Sequence, residues 1–265
     1  PELFNKEALF QRPLVLLSFN INYIISEFEV WSYHLFNIML HALASLLVFR
    51  FAGRALNLLD DFSPQKAFSS LPFLGAMVFA LHPLSTQSVT YISSRSSIMA
   101  TIFYLSALIL FFDGFKKWKQ TGHKGWGYFI SSSVCFFLGG LSKEIIVTLP
   151  ATLFIFHFYF IYRKSLKEWF VTYAKWIFLL FIPLLTFIGY KQFIAGGLLN
   201  ASNAYLKPST WLLTQTSVIP FEYFRKMLFP FNMNIDIDFP ILKNWLQSGN
   251  WFGLWLLGLF IFFWV

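Results

Sequence analysis

Seven apolar runs decide what this chain can fold into: about 33–51, 70–88, 97–113, 127–142, 145–162, 173–191 and 251 onward. Each is near the roughly 20 residues that carry a helix across a bilayer. Their apolar residues run on without alternation, which argues against half-buried strands. A helix satisfies its own backbone groups in a medium without water. The chain is 57% apolar and only 12% charged, against about a quarter charged in a soluble domain. The expected architecture is an all-α, polytopic membrane bundle over residues 1–265, with about seven membrane helices. The net charge of +8 does not point to nucleic acid, because the basic residues cluster beside apolar runs, where they set orientation. One cysteine, Cys135, allows no intramolecular disulfide. The chain opens Pro-Glu-Leu and stops inside an apolar run at Val265, so it reads as a fragment cut at both ends.

Lysine and arginine in the short loops give the orientation. One set of loops holds Arg50, Arg54 and Lys66, then Lys116, Lys117, Lys119 and Lys124, then Arg163, Lys164 and Lys167. The opposite set between helices holds Arg95 and Lys143. The first set is therefore cytoplasmic. The N-terminal segment, "HPLSTQ", "SKE" and the long 192–250 stretch face outside or the lumen. Within that stretch, residues 211–229 are moderately apolar but carry Glu222, Arg225 and Lys226. A helix lying on the outer face suits them better than a spanning one.

Ionisable groups beside or within apolar runs are costly and therefore candidates for function. His34, Asn37, His41 and Ser45 recur at helical spacing and share one face. They either bond neighbouring helices or line a wet site. In "ALHPLSTQSVTYISSRSSIMA" Pro83 removes a backbone donor, so a helix should end or bend after His82. Arg95 then opens the next apolar run. A guanidinium there either holds a phosphate through its planar fork or snorkels to the interface. "GGLSKEIIVTLP" sets Gly139 and Gly140, which permit close helix approach, before Lys143 and Glu144. Those two charges are either an ion pair in a helix hairpin or part of an outer-face site. Asp236 and Asp238 share one side if "FNMNIDIDFP" is extended, but such residues are also common in loops. Asn200-Ala-Ser202 is a glycosylation sequon, meaningful only in a secretory pathway. No Walker loop, dinucleotide fingerprint or zinc spacing is present, so neither a cofactor nor a metal is expected.

Four motifs in order, "QRPLVLLSFNINYII", "WSYHLFNIMLHALASLLVF", "ALHPLSTQSVTYISSRSSIMATIFYLSALILF" and "GGLSKEIIVTLPATLFI", carry a resemblance. They resemble the membrane half of the transmembrane and tetratricopeptide-repeat O-mannosyltransferases, and look more closely like bacterial relatives of that family. The resemblance implies a GT-C class glycosyltransferase. Such an enzyme takes a sugar, here mannose, from a polyprenyl or dolichyl phosphate carrier and works on the outer or luminal face. The implied acceptor is a hydroxyl on protein or glycan. The implied location is the bacterial inner membrane, or the endoplasmic reticulum in a eukaryote. It also implies an acidic catalytic motif upstream of residue 1, and further helices and tetratricopeptide repeats downstream. Two positions depart from the animal pattern. Thr86-Gln87-Ser88-Val89 stands for Thr-Glu-Ala-Val, and Arg95-Ser96-Ser97 for Arg-Ala-Asp, so Gln87 leaves its position without a carboxylate.

The residues expected around the carrier are Arg95, His82, Lys143, Glu144, Arg12, His34 and His41. Arginine suits a lipid-phosphate head because it stays charged in a low-dielectric site. A flippase of lipid-linked sugars is the first rival and would need a polar path to the cytoplasmic side. A noncatalytic membrane scaffold is the second.

Overall fold

A computed structural model describes residues 12–56, 71–121, 125–158 and 184–190, with short pieces between 210 and 241. Among the described residues the structure is helical and has no strand. The helices are α1 (Pro13–Ser26), α2 (Trp31–Leu56), α3 (Leu71–Leu81), α4 (Pro83–Thr90), α5 (Arg95–Thr121), α6 (Trp126–Gly140) and α7 (Leu149–Phe156). A four-residue turn, α8, covers Arg225–Leu228. Tight 3-10 turns at Ile92–Ser94 and Glu144–Thr148 lead into α5 and α7. The chain forms two compact units, residues 1–81 with 85–198, and residues 82–84 with 199–265. α1 to α7 lie in the first, apart from the opening residues of α4.

α2 and α5, at 26 and 27 residues, are long and apolar enough to cross a membrane. They are the two such helices among the described residues, where the sequence reads seven runs. The 70–88 run breaks at His82 because Pro83 starts a new helix, as the missing proline donor predicts. The 145–162 run opens as a 3-10 turn, and its described part ends at 158. Most of 173–191 and all of 251–265 lie outside the described residues.

Two polar contacts fix the direction of the long helices. Arg95 Nε donates to Asn37 Oδ1 at 2.8 Å, and Arg54 pairs with Asp113 at 2.7 Å. Asn37 and Arg54 both lie on α2, and Arg95 and Asp113 on α5. Each pair of positions is about 25 Å apart at 1.5 Å per residue, close to the hydrocarbon thickness of a bilayer. α2 and α5 are therefore parallel and tied at both ends. α3 runs back beside α2, since Ala80 O, near its end, meets His41 Nε2 at 3.1 Å. α6 returns along α5, with Ser132 Oγ donating to Ala107 O at 2.8 Å. α7 descends again: Tyr104 Oη meets Thr152 Oγ1 at 2.5 Å, and Phe112 meets Phe156 at 5.6 Å between ring centres.

The core between α5, α6 and α7 is built from Phe111, Phe115, Phe129, Phe136, Ile146 and Leu149. Its rings meet edge to face, Phe111 with Phe129 at 5.3 Å, the geometry that aromatic quadrupoles favour. The close approach expected of Gly139 and Gly140 is found. A Cβ on Gly140 would sit 2.6 Å from the Phe187 ring, and one on Gly139 2.7 Å from Ile146 Cδ1.

α1 is an element that the apolar runs alone do not outline. Pro13 stands in its first turn, where a missing donor costs nothing. It ends as Glu27 turns to φ 48 and gives its N–H to Tyr23 O. The turn into α2 is held by side chains: Asn22 Nδ2 donates to Ser32 O at 3.1 Å, and the Ser26 and Ser32 hydroxyls meet at 2.6 Å.

Candidate functional site

The end of the bundle where α2 and α5 begin gathers most of the expected residues. Arg95 is 0% exposed there. Besides Asn37, its Nη1 donates to Asn22 Oδ1 at 2.6 Å, to Ser18 O at 3.2 Å and to Ser18 Oγ at 3.3 Å. Its Nη2 donates to Tyr33 O at 3.0 Å. Its guanidinium carbon lies 4.5 Å from the Phe19 ring centre and 4.7 Å from that of Phe36. Among the described residues it has no carboxylate partner. The buried cation is instead solvated by neutral oxygens and ring faces, which stabilise a charge that could not stay buried alone. The geometry turns the fork inward, where it joins α1, α2 and α5, instead of outward to the surface.

The other charges at this end of the bundle stand nearer the surface. Lys143 Nζ donates to Ser97 Oγ at 2.7 Å, linking the α6–α7 connection to the first turn of α5. Among the described residues Lys143 has no carboxylate partner. Arg12, just before α1, meets Glu144 at 3.4 Å, both side chains being well exposed. Below Lys143, hydroxyls line the contact of α5 with α7: Tyr104 bonds Thr152 and reaches Thr148 Oγ1 at 3.2 Å. Lys143, Glu144 and Arg12 are thus brought to one end of the bundle, beside the Arg95 cluster.

The polar stripe on α2 faces protein. Asn37 is 0% exposed, and its Nδ2 donates to Tyr91 O at 3.3 Å. His41 stacks on Phe79 with ring centres 5.5 Å apart. His34 is half-buried on the same helix, and Ser45 Oγ returns to His41 O at 2.9 Å. Interhelical bonding accounts for Asn37 and His41.

His82 belongs to the second compact unit. Its Nδ1 accepts the Leu84 N–H at 3.1 Å, so the ring proton sits on Nε2, which donates to Met227 O at 3.0 Å. In this state the ring is a neutral pin between the His-Pro break and α8. Asp236, Asp238, Asn200 and Glu222 lie outside the described residues, as does most of 211–229.

Sequence reasoning passed over Ser18, Asn22, Arg54 and Asp113 as a set. Ser18 and Asn22 are four apart in an uncharged apolar helix, the same signal that marks Asn37 and His41 on α2. Asp113 is the acid inside an apolar run whose partner is Arg54, in bidentate geometry, with both contacts 2.7 Å.

Protein O-mannosyl-transferase TMTC2 of Mus musculus is 32% identical over 159 residues, covering 59% of this chain and 18% of that protein. Protein O-mannosyl-transferase TMTC3 of Homo sapiens is 31% identical over 98 residues, 37% of this chain and 10% of that protein. Protein O-mannosyl-transferase F38B6.6 of Caenorhabditis elegans is 32% identical over 99 residues, 37% of this chain and 13% of that protein. The chain thus spans less than a fifth of the length of these curated relatives. No protein-family model and no solved structure matches it. The chain thus has two membrane-length helices, which support membrane association, and over part of its length it is similar to proteins named protein O-mannosyl-transferases.

Proposed function

We propose that this chain is the membrane domain of a GT-C type glycosyltransferase, which moves mannose from a polyprenyl or dolichyl phosphate carrier to a protein hydroxyl on the outer or luminal face. The names of its relatives support mannose transfer to protein. The observation that carries the site is the convergence of Lys143, Ser97, Arg12 and Glu144 at one end of the bundle. Lys143 is the proposed phosphate ligand. Its ammonium is bonded to a neutral hydroxyl and has two more donors to give. As the carrier phosphate leaves with extra charge, a fixed cation stabilises that charge more than the ground state. The hydroxyls of Tyr104, Thr148 and Thr152 continue a polar seam inward from it. Arg95 is assigned the role of holding the helices around this end, since its donors already meet protein acceptors.

The side assignment draws support from the helix directions. Because α2 and α5 are parallel, Arg50, Arg54, Lys116 and Lys117 gather at the opposite end, as the positive-inside rule asks of a cytoplasmic face. A flippase would need an open polar route between the faces. The described charges deepest at the cytoplasmic end, Arg54 and Asp113, engage each other instead, which favours the enzyme.

The test is transfer from a short-chain polyprenyl-phosphate mannose by the full-length protein in detergent. Lys143→Ala is expected to raise the donor KM by about tenfold, the equivalent of ~1.4 kcal/mol of lost charge-assisted contact. Lys143→Arg should recover part of it. Unchanged donor dependence in a folded Lys143→Ala protein would move the phosphate site elsewhere.

A further inference from the structure

The end of the bundle opposite Arg95 carries cations without matching acids. Among the described residues Asp113 is the one acid there. Both of its oxygens are taken by Arg54, through Nε and Nη2 at 2.7 Å each. Arg50, Lys116 and Lys117 are exposed and have no carboxylate partner among the described residues.

Their spacing gathers them around the Arg54–Asp113 clamp. Arg50 stands four residues before Arg54 on α2, and Lys116 and Lys117 stand three and four after Asp113 on α5. Residues so spaced share a helix face. All three therefore lie on the sides of α2 and α5 that the clamp brings together. They extend over about 12 Å at 1.5 Å per residue, Arg50 one turn toward the membrane middle and the lysines one turn toward water. An aliphatic stripe leads up to Arg50. Met39, Leu43 and Leu46 are 57%, 45% and 62% exposed. With Arg50 they recur at spacings of four, three and four, which is one face of α2. That face is apolar for roughly 16 Å and ends in a cation.

We propose that Arg50, Lys116 and Lys117, centred on the Arg54–Asp113 clamp, form a headgroup site for an anionic phospholipid of the cytoplasmic leaflet. The partner is a phosphodiester without an ammonium, as in phosphatidylglycerol. Its acyl chain lies along the stripe and its phosphate meets the cations. Selectivity follows from the charges. A zwitterionic headgroup brings an ammonium that needs an acceptor, and Asp113 is already engaged. A net negative headgroup meets cations alone. Of the five N–H donors of a guanidinium, Asp113 takes two from Arg54, so the fork is fixed before the phosphate arrives and has donors left for it. Orientation asks only for an excess of positive charge in the loops. The fixed clamp and the stripe ending at Arg50 are what ask for a lipid. The proposal holds whichever sugar or acceptor the protein serves.

The experiment is thermal unfolding of the full chain in nonionic micelles, titrated with dioleoyl phosphatidylglycerol or dioleoyl phosphatidylcholine. Phosphatidylglycerol is expected to raise the midpoint and phosphatidylcholine to leave it unchanged. A cation near an anionic lipid surface contributes about fivefold in affinity. Lys116→Gln with Lys117→Gln should therefore need roughly 20-fold more phosphatidylglycerol for the same rise, and high salt should weaken the parent's response. Arg50→Gln should need about fivefold more, and it decides the matter if the double variant folds poorly. Lys143→Gln, at the other end, should respond as the parent does. An unchanged phosphatidylglycerol response in the lysine variant and in Arg50→Gln would overturn the proposal, even with a lower lipid-free midpoint, since these cations would then serve only the fold. Equal stabilisation by phosphatidylcholine would overturn it too. So would the same shift from inorganic phosphate, or a response lost in Lys143→Gln in place of the lysine pair.

Discussion

Arg95→Ala should cost the fold more than any other single surface-to-bundle contact described. The substitution strands Asn22 Oδ1, Asn37 Oδ1 and Tyr33 O, which accept from the guanidinium at 2.6, 2.8 and 3.0 Å. A buried acceptor left without a partner costs roughly 1–3 kcal/mol. Three of them suggest a cost of about 3–5 kcal/mol once relief of the buried charge is set against it. Bonds within membrane bundles measure lower, near ~0.6 kcal/mol on average, so about 2 kcal/mol is the floor. Arg95→Lys keeps the charge but offers a point in place of a fork. It cannot meet acceptors on α1 and α2 together and should recover less than half. Arg12→Ala is the control, because its ion pair with Glu144 is well exposed and such pairs contribute about 0–1 kcal/mol. The assay is equilibrium unfolding in mixed micelles followed by circular dichroism, with protease cleavage near Arg12 reporting release of α1. If Arg95→Ala unfolds within about 1 kcal/mol of the parent and α1 stays protected, the clasp does not hold the helices and the reasoning fails.

Three further outcomes follow from the same contacts. Gly125→Ala should loosen the α5–α6 hairpin by about 1–3 kcal/mol, because the new Cβ would lie 2.6 Å from the Gly114 carbonyl oxygen, a backbone atom that cannot swing away. Gly53→Ala, which meets nothing within 4 Å, should be neutral or stabilising by up to about 1 kcal/mol; equal effects at the two positions in thermal unfolding would contradict the packing. The bidentate Arg54–Asp113 pair is partly buried, so a double-mutant cycle through alanine should show about 1–2 kcal/mol of coupling; a value near zero would remove it as the second clamp on α2 and α5. Imidazole nitrogen NMR should find His82 as the neutral Nε2–H form, and a proton on Nδ1 would contradict the Leu84 contact.

What the sequence determined by itself is the medium and the periodicity. Apolar runs of membrane length at 33–51 and 97–113 became the cores of α2 and α5, since a continuous, non-alternating apolar run satisfies its backbone in hydrocarbon as a helix. Pro83 was legible as a break and Gly139–Gly140 as a close approach, because both are properties of one residue's own covalent geometry. The side-chain partners were not legible. Arg95 reads from its neighbours as a phosphate ligand or a snorkelling cation, yet its acceptors lie on α1 and α2, at positions 58 to 77 residues away along the chain. The same holds for Arg54 and Asp113, 59 residues apart, where one helix had to align with another before either charge found its mate. α1 escaped notice for a related reason. Fourteen uncharged residues fall short of a crossing, and only the tertiary structure shows the helix laid across the bundle end with its polar face inward. Hydrophobic burial is non-directional and written in composition. The hydrogen bonds that decide which polar group goes where are directional, and they exist only once the helices have met.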